Sequence, residues 1–337
     1  MTEKGTALSP QVSTNLKSAR RQQLRRFFAL PLILTATAGV AVRATVRDSV
    51  PFLSAVFYAT PWPLLAVCFL AVAGLLKPTA SRTTFRLLLL SAGACALIFF
   101  YQHYEFPADR SVAIEADSSS DRDLKVVFWN VARGLRGWDP VFDKLKRLDA
   151  DVYGLAEVDP LDHDMLQRLQ REFPNYEVAP FQHGMVILSR FPIASRQNIE
   201  TASNAFFASA DVEVAGQQLR FIVADMHSWP LLFREAPMQT LCEIAMETAD
   251  RPTVFMGDLN TPNDSVFCDR FRDEFVSPFE QQGRGFDCTW PVPLPVMAID
   301  HLWVNKLWDV KSCNLGWTWV SDHRPIISEL RLPVVAP

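Results

Sequence analysis

Asp322 and His323 stand side by side in the stretch SDHRP, residues 321–325. An imidazole titrates near neutrality and can serve as a general base if a carboxylate fixes its tautomer. The dipeptide alone is weak, because Asp-His recurs at Asp162-His163 and Asp300-His301. Its company is more informative. VVFWN ends in Asn130, YGLAE in Glu157, FIVADMH in His227, and VFMGDLN in Asp258 and Asn260, while AID opens a further apolar run with Asp300. Polar groups at the ends of apolar strands are candidates for one shared cleft. Singly, each has a bland reading. Asn130 could cap a turn, Glu157 could be a solvated strand-end acid, GDLN could be an Asx turn, and His227 could be a satisfied core histidine.

Together they fit metal-assisted cleavage of a phosphoester. A hard divalent cation takes oxygen ligands, usually one or two carboxylates plus water and substrate phosphate. Glu157 and Asp322 supply the carboxylates, with Asn130 as a neutral oxygen nearby, for Mg²⁺ or for Mn²⁺ in its place. His323 is the base for a water nucleophile, and Asp300 orients it. Asn260 and His227 are donors for phosphoryl oxygens, and Asp258 orients or deprotonates the water. Trp229, two residues beyond His227, is a candidate for substrate contact. A zinc hydrolase is a poorer fit, since the chain has neither HExxH nor paired cysteines.

These residues need strands and helices to position them. LKVVFWNV, DVYGLAEV, GMVILSR, PTVFMGDLN, AIDHLWVN and RPIISELRL read as strands. PVFDKLKRL, DHDMLQRLQREF and SVFCDRFRDEF read as helices. LLFREAPMQTLCEIAMETA reads as a further helix, with Pro237 at a break or in its first turn. AFFASADVEVAGQQLRFIVADMH is expected to be a hairpin turning at Ala215-Gly216. The mixture predicts a layered α/β sandwich.

The ordered set VVFWNV, LAEV, HGMVILSRFPI, ADMH, GDLN, IDHLWV and SDHRP resembles the endonuclease/exonuclease/phosphatase superfamily, the DNase I-like fold, over residues 124–332. The resemblance implies a four-layer α/β sandwich, two sheets face to face with helices outside. It also implies that Asn130 and Glu157 belong to a metal site and that His227 contacts phosphate. Asp258 and Asn260 match the Asp-x-Asn pair, Asp300 the aspartate that orients the base, and Asp322 and His323 the final Asp-His pair. One departure lies at DMHSW, where Asp225 and Trp229 replace the family's common residues.

The first third of the chain differs. Residues 27–42, 51–76 and 87–104 form three runs without Asp, Glu, Lys or Arg. They are expected to be three transmembrane helices, the first a little short, since a helix needs roughly 20 apolar residues to cross. The expected organisation is a basic cytoplasmic tail (1–26), three spans (27–104), a serine-containing linker (105–123) and a catalytic domain (124–337). Lys and Arg in the tail and in the loop carrying Lys77, Arg82 and Arg86 put both on the cytoplasmic side and the catalytic domain outside. A net charge of −4 hides a split, with 11 Lys and Arg against 2 acids before Glu105 and 22 against 35 from there onward.

That acidic balance disfavours tight nonspecific nucleic-acid binding. Tethering favours a lipid-linked phosphate or phosphodiester, with the bilayer and the phosphoester as the two partners. The alternatives are an anchored nuclease and a non-catalytic scaffold of the same fold. Apolar stretches at 227–237 and 289–297 could meet a lipid surface or simply pack in the core. Cys242, Cys268, Cys288 and Cys313 could pair or remain buried thiols.

Overall fold

The computed structural model describes residues 10–106, 123–199, 205–248 and 250–332. The chain forms two compact units, one of Met1–Arg47 and Ala59–Tyr101, the other of Asp48–Tyr58 and Gln102–Pro337.

In the first unit, α1 (Pro10–Ala44) precedes a short α2 (Leu53–Ala59), whose body belongs to the second unit. Then come α3 (Trp62–Leu76) and α4 (Arg82–His103). The run expected as one span over 51–76 is therefore two helices. Pro61 has no N–H to donate and sits extended at φ −60, ψ 151, so the helix cannot run through it. Ala19–Ala44 and Arg82–His103 are each long and apolar enough to cross a membrane, and a third crossing exists only if α2 and α3 count as one bent span. Ala36, Leu65, Phe69, Ala92 and Cys95 pack inside this unit. Leu34, Leu70, Leu90 and Leu97 are exposed on it. Helices apolar on both faces suit lipid surroundings better than water.

The second unit begins its fold with β1 (Tyr104–Glu105) and, beyond residues 107–122, β2 (Asp123–Asn130). Most of the expected linker thus lies outside the described residues, and its two ends are in strands. The chain continues through α5 (Trp138–Leu148), β3 (Val152–Ala156), α6 (His163–Glu172), β4 (Glu177–Pro180), β5 (Val186–Ser189) and β6 (Ile193–Ile199). Next come β7 (Ala205–Val214), β8 (Gln217–Met226), α7 (Glu235–Met246) and β9 (Thr253–Asp258). It closes with β10 (Phe275–Val276), α8 (Pro278–Gln282), β11 (Gly285–Phe286), β12 (Asp300–Asn305), β13 (Asp309–Leu315) and β14 (Ile326–Arg331). Two six-stranded sheets result, in the orders β10-β12-β9-β8-β7-β6 and β13-β14-β2-β3-β5-β4.

Strand alternation builds four layers. In β2, Val126 and Phe128 face the inter-sheet core while Val127 and Trp129 face the cluster formed with Phe142 and Leu145 of α5 and Leu169 of α6. In β9, Val254 and Met256 enter the inter-sheet core while Phe255 packs outward with Met238 and Leu241 of α7. Gly154 lets the sheets close, because a Cβ there would lie 2.6 Å from Met256 Cε. The hairpin turns where expected, with Ala215 and Gly216 both at positive φ, as a two-residue type I′ turn requires. Pro237 lies in the first turn of α7. The helix expected over SVFCDRFRDEF is absent. Residues 265–274 are tight turns ending in a 3₁₀ segment at Phe271–Asp273, with Cys268 N, Phe271 N and Glu274 N each donating three residues back. All six cysteines are free thiols.

Candidate active site

The inner faces that make the core also make the site. Following 126 and 128, the next inward position in β2 is Asn130. Following 254 and 256 in β9 it is Asp258, and ahead of 302 and 304 in β12 it is Asp300. Following 219, 221 and 223 in β8 it is Asp225. Asp258 is in register with Asp300 on one side and with Asp225 on the other. Three aspartates therefore lie in a row across neighbouring strands, opposite Asn130 of the other sheet.

Asn130 is fully buried, and its Nδ2 donates to Asp258 Oδ2 at 2.9 Å and to Glu157 Oε1 at 3.2 Å. Its Oδ1 accepts from Ala132 N at 2.9 Å. Glu157 holds a left-handed backbone at φ 55 just beyond β3, and Arg133 Nε lies 3.2 Å from its Oε2. Asn260 is likewise at φ 46. Non-glycine residues in this region cost of order 1 kcal/mol and gather where geometry matters more than stability.

His323 Nδ1 donates to both oxygens of Asp300, at 2.8 and 3.0 Å. Its Nε2 faces Asp258 Oδ2 at 3.8 Å and Asp322 Oδ1 at 4.0 Å. Burial works to lower the imidazole's pKa, but the charges of Asp300, Asp258 and Asp322 outweigh it and push the group up to about 10. Asp258 is pushed up to about 7 by burial and by Asp300, against the pull of His323. The two titrate as a pair. Asp225 is held well above the usual carboxylate range by burial and by the charges of Asp258 and Glu157.

Every polar residue of SDHRP has a task. Ser321 Oγ donates to Asn130 O at 2.8 Å and accepts from His323 N at 3.0 Å, joining this loop to the end of β2. Trp129 Nε1 donates to His323 O at 3.0 Å. Asp322 Oδ2 accepts from Trp290 Nε1 at 3.1 Å. Arg324 spans the neighbouring segments, donating to Cys288 O at 3.0 Å and Leu315 O at 3.2 Å.

His227 is exposed and stands outside this bonded network. Trp229 N donates to its Nδ1 at 3.0 Å, so the neutral ring carries its proton on Nε2 and presents a donor. Asn260 Nδ2 donates to Met226 O at 2.7 Å, which ties the loop after β9 to the residue before His227 and leaves one amide hydrogen for another acceptor. Trp229 is 56% exposed. Asp225, Arg133, Ser321 and Trp290 were not among the expected site residues. Asp225 carried a signal in the sequence, an acid directly ahead of the MH pair. Arg133, Ser321 and Trp290 act through contacts that spacing does not announce.

The donor set suits a hard cation. Asp258, Asp300 and His323 offer ligand atoms all within 4.8 Å of one another. Glu157, Asp322 and Asp225 add carboxylates around them. Acids crowded this closely repel each other, and a divalent cation among oxygen donors relieves that repulsion.

A family model described as the endonuclease/exonuclease/phosphatase family matches residues 127–323. No curated protein matches the chain. A crystal structure of an endonuclease/exonuclease/phosphatase from Bacteroides vulgatus superposes with a TM-score of 0.53 at 18% identity, covering 62% of this chain and 99% of that one. A family protein from Leptotrichia buccalis gives 0.52 at 17% identity, covering 62% and 100%. A humanized D. rerio TDP2 gives 0.51 at 18% identity, covering 63% and 100%.

Proposed function

The chain belongs to the endonuclease/exonuclease/phosphatase family, and we propose that it is a membrane-anchored phosphoesterase acting outside the cytoplasm on a lipid-linked phosphoester or phosphodiester. It is a metal-dependent hydrolase by fold and by its clustered acids and histidine. The observation that carries the reading is the buried Asp300–His323 pair facing Asp258, with Asn130 holding Asp258 and Glu157 together.

In this mechanism the carboxylates of Glu157 and Asp322 would hold Mg²⁺ or Mn²⁺, with Asn130, whose Nδ2 donates to Glu157, positioning that carboxylate. That ion, when bound, offsets the charge of the phosphoryl group and holds its oxygens. Asp300 keeps a proton on His323 Nδ1, so in the neutral ring Nε2 is the atom that takes the proton of an attacking water. Asp258, 3.8 Å from that nitrogen, orients the same water. His227 Nε2–H and the second amide hydrogen of Asn260 donate to the phosphoryl oxygens as charge develops there.

The lipid preference rests on the rim. Trp229 and Leu231 follow His227, Leu294 lies at the tip of a loop bridged at Trp290 and Met297, and Trp317 and Trp319 precede SDHRP. All five are exposed, Leu294 to 76%. Large apolar side chains on the loops that carry catalytic groups suit an interface of head groups better than open water. The apolar helices Ala19–Ala44 and Arg82–His103 support anchoring, and an outward-facing domain requires a third crossing through the α3 region, which the basic residues Lys77, Arg82 and Arg86 after it support.

The test is the full chain in detergent with Mg²⁺, with and without EDTA, against phospholipid vesicles, a polyprenyl pyrophosphate, plasmid DNA, RNA and bis-p-nitrophenyl phosphate. EDTA-sensitive release from a lipid substrate with DNA intact is expected. Nicked plasmid with lipids untouched would replace this reading with an anchored nuclease.

A further inference from the structure

We propose that residues 48–58, the stretch between the first apolar helix and α3, are a working part of the catalytic unit that positions the loops bearing His227 and Asn260. The inference rests on the roles given to those two residues above.

Asp48 is the anchor. It is fully buried, and its carboxylate is filled by donors from two places. Tyr58 O–H donates to Oδ2 at 2.9 Å and Ser265 O–H to the same oxygen at 2.5 Å, while Val266 N donates to Oδ1 at 3.0 Å. Ser265 and Val266 lie five and six residues beyond Asn260. A buried carboxylate is stable only when its oxygens are so satisfied, and the two bonds from Ser265 and Val266 set where the loop after β9 turns.

Arg234 makes the second connection. Its guanidinium lies 6.0 Å from the centre of the Tyr58 ring. One Nη2 donates to the backbone oxygen of His227 and, at 3.4 Å, to that of Trp229. The side chain is 2% exposed, Nε has no hydrogen-bond partner, and no carboxylate pairs with it among the described residues. A buried cation with no acid in direct contact is costly, and although the charge of Asp258 reaches it, its place depends on the Tyr58 ring and the carbonyls it grips. Tyr58 thus joins both grips, through its hydroxyl to Asp48 and through its ring to Arg234.

Surface tethering needs none of this. A loop that only linked two apolar helices would not place a fully buried acid under the turn after Asn260, nor an aromatic ring under the cation that holds His227. Tyr58 and Arg234 are positioning residues, acting through the backbone of the loops they hold.

The experiment uses the full chain in detergent with Mg²⁺ and bis-p-nitrophenyl phosphate, comparing Asp48→Asn, Tyr58→Phe and Arg234→Lys. Misplacement of a transition-state donor is expected to lower kcat about 10- to 100-fold, with KM held within about twofold. In a His227→Ala background, adding Arg234→Lys is expected to cost less than about twofold, because the donor it positions is gone. Hydrogen exchange is the second readout. Amides of 227–234 and 259–266 are expected to exchange faster in Tyr58→Phe, with β8 and β9 unchanged. Wild-type kcat and unchanged loop exchange in all three variants would overturn the proposal, as would an Arg234→Lys loss that persists in full without His227. If the wild-type chain hydrolyses nothing, the phosphoesterase reading fails, and the exchange data still decide the clamp.

Discussion

Replacing Asp300 with Asn tests the chemistry at its most constrained point. The substitution keeps the volume of a buried side chain and the backbone bonds from Ile299 N and Asp300 N to Thr289 Oγ1. It removes the charge that, with Asp258 and Asp322, holds His323 up at about 10 against its own burial. A carboxylate this close shifts a neighbouring imidazole by about 1–3 pH units. The carboxamide also presents N–H groups to Nδ1, favouring the tautomer with the proton on Nε2, which cannot take another. Loss of an orienting acid in a Ser-His-Asp site costs about 10⁴ in turnover, and general-base catalysis alone is worth about 10²–10⁴. Release of p-nitrophenolate from bis-p-nitrophenyl phosphate at saturating Mg²⁺, across a pH series, reads both effects. The plateau of kcat is expected to fall about 10²–10⁴-fold, a barrier increase of about 3–5 kcal/mol. The ascending limb is expected to move toward acid by about 1–3 pH units. A plateau within about threefold of wild type, or a limb that stays in place, would refute His323 as the base and Asp300 as its partner.

His323→Ala should lower turnover by about 10²–10⁴-fold, and near-normal rates would remove it from the mechanism. Glu157→Gln should raise the Mg²⁺ concentration needed for half-maximal activity, and an unchanged titration would show that Glu157 is not a ligand. The metal-free chain should lose stability as pH rises. Folded His323 is raised to about 10 and folded Asp258 to about 7, both above their unfolded values, so the folded state holds the extra protons. The stabilisation from His323 is complete below about 6.5 and lost on rising through about 10. Melting followed by tryptophan fluorescence should therefore fall from about pH 6.5 to 9.5, and less in His323→Gln. Trp229→Ala with Leu294→Ser should weaken cleavage in vesicles while sparing a soluble phosphodiester. Equal losses on both would assign these residues to the site rather than to the interface.

Much of the site was legible because inward-facing strand positions follow a two-residue period. Val126, Phe128 and Asn130 share one face, so a polar residue at the end of an apolar series marks where the core opens. The same rule applies to Val254, Met256 and Asp258, and it reaches Asp225, which becomes visible once 219, 221 and 223 are known to point inward. Local chemistry placed the hairpin at Ala215-Gly216, where both residues take positive φ. SVFCDRFRDEF failed for the complementary reason. Its apolar spacing suits a helix, but Val266 N and Ser265 Oγ are taken by Asp48, more than 200 residues earlier. A tertiary partner at that separation leaves no periodicity to read.

The place of Asp48 in the fold is invisible to a charge count. Arg43, Arg47 and Asp48 lie in the loop between the first two apolar runs, where together they weaken the charge contrast between the two sides of a membrane. In the fold, Asp48 is the buried acceptor for three donors and belongs to the catalytic unit. A charge count weighs all acids alike, whereas a satisfied buried carboxylate stores specificity, since removing it strands several donors at once. The acid in the least informative loop of the charge map is therefore the one whose loss should reach the active site. A fragment starting after residue 104 would lack it, and its activity would not measure that of the whole chain.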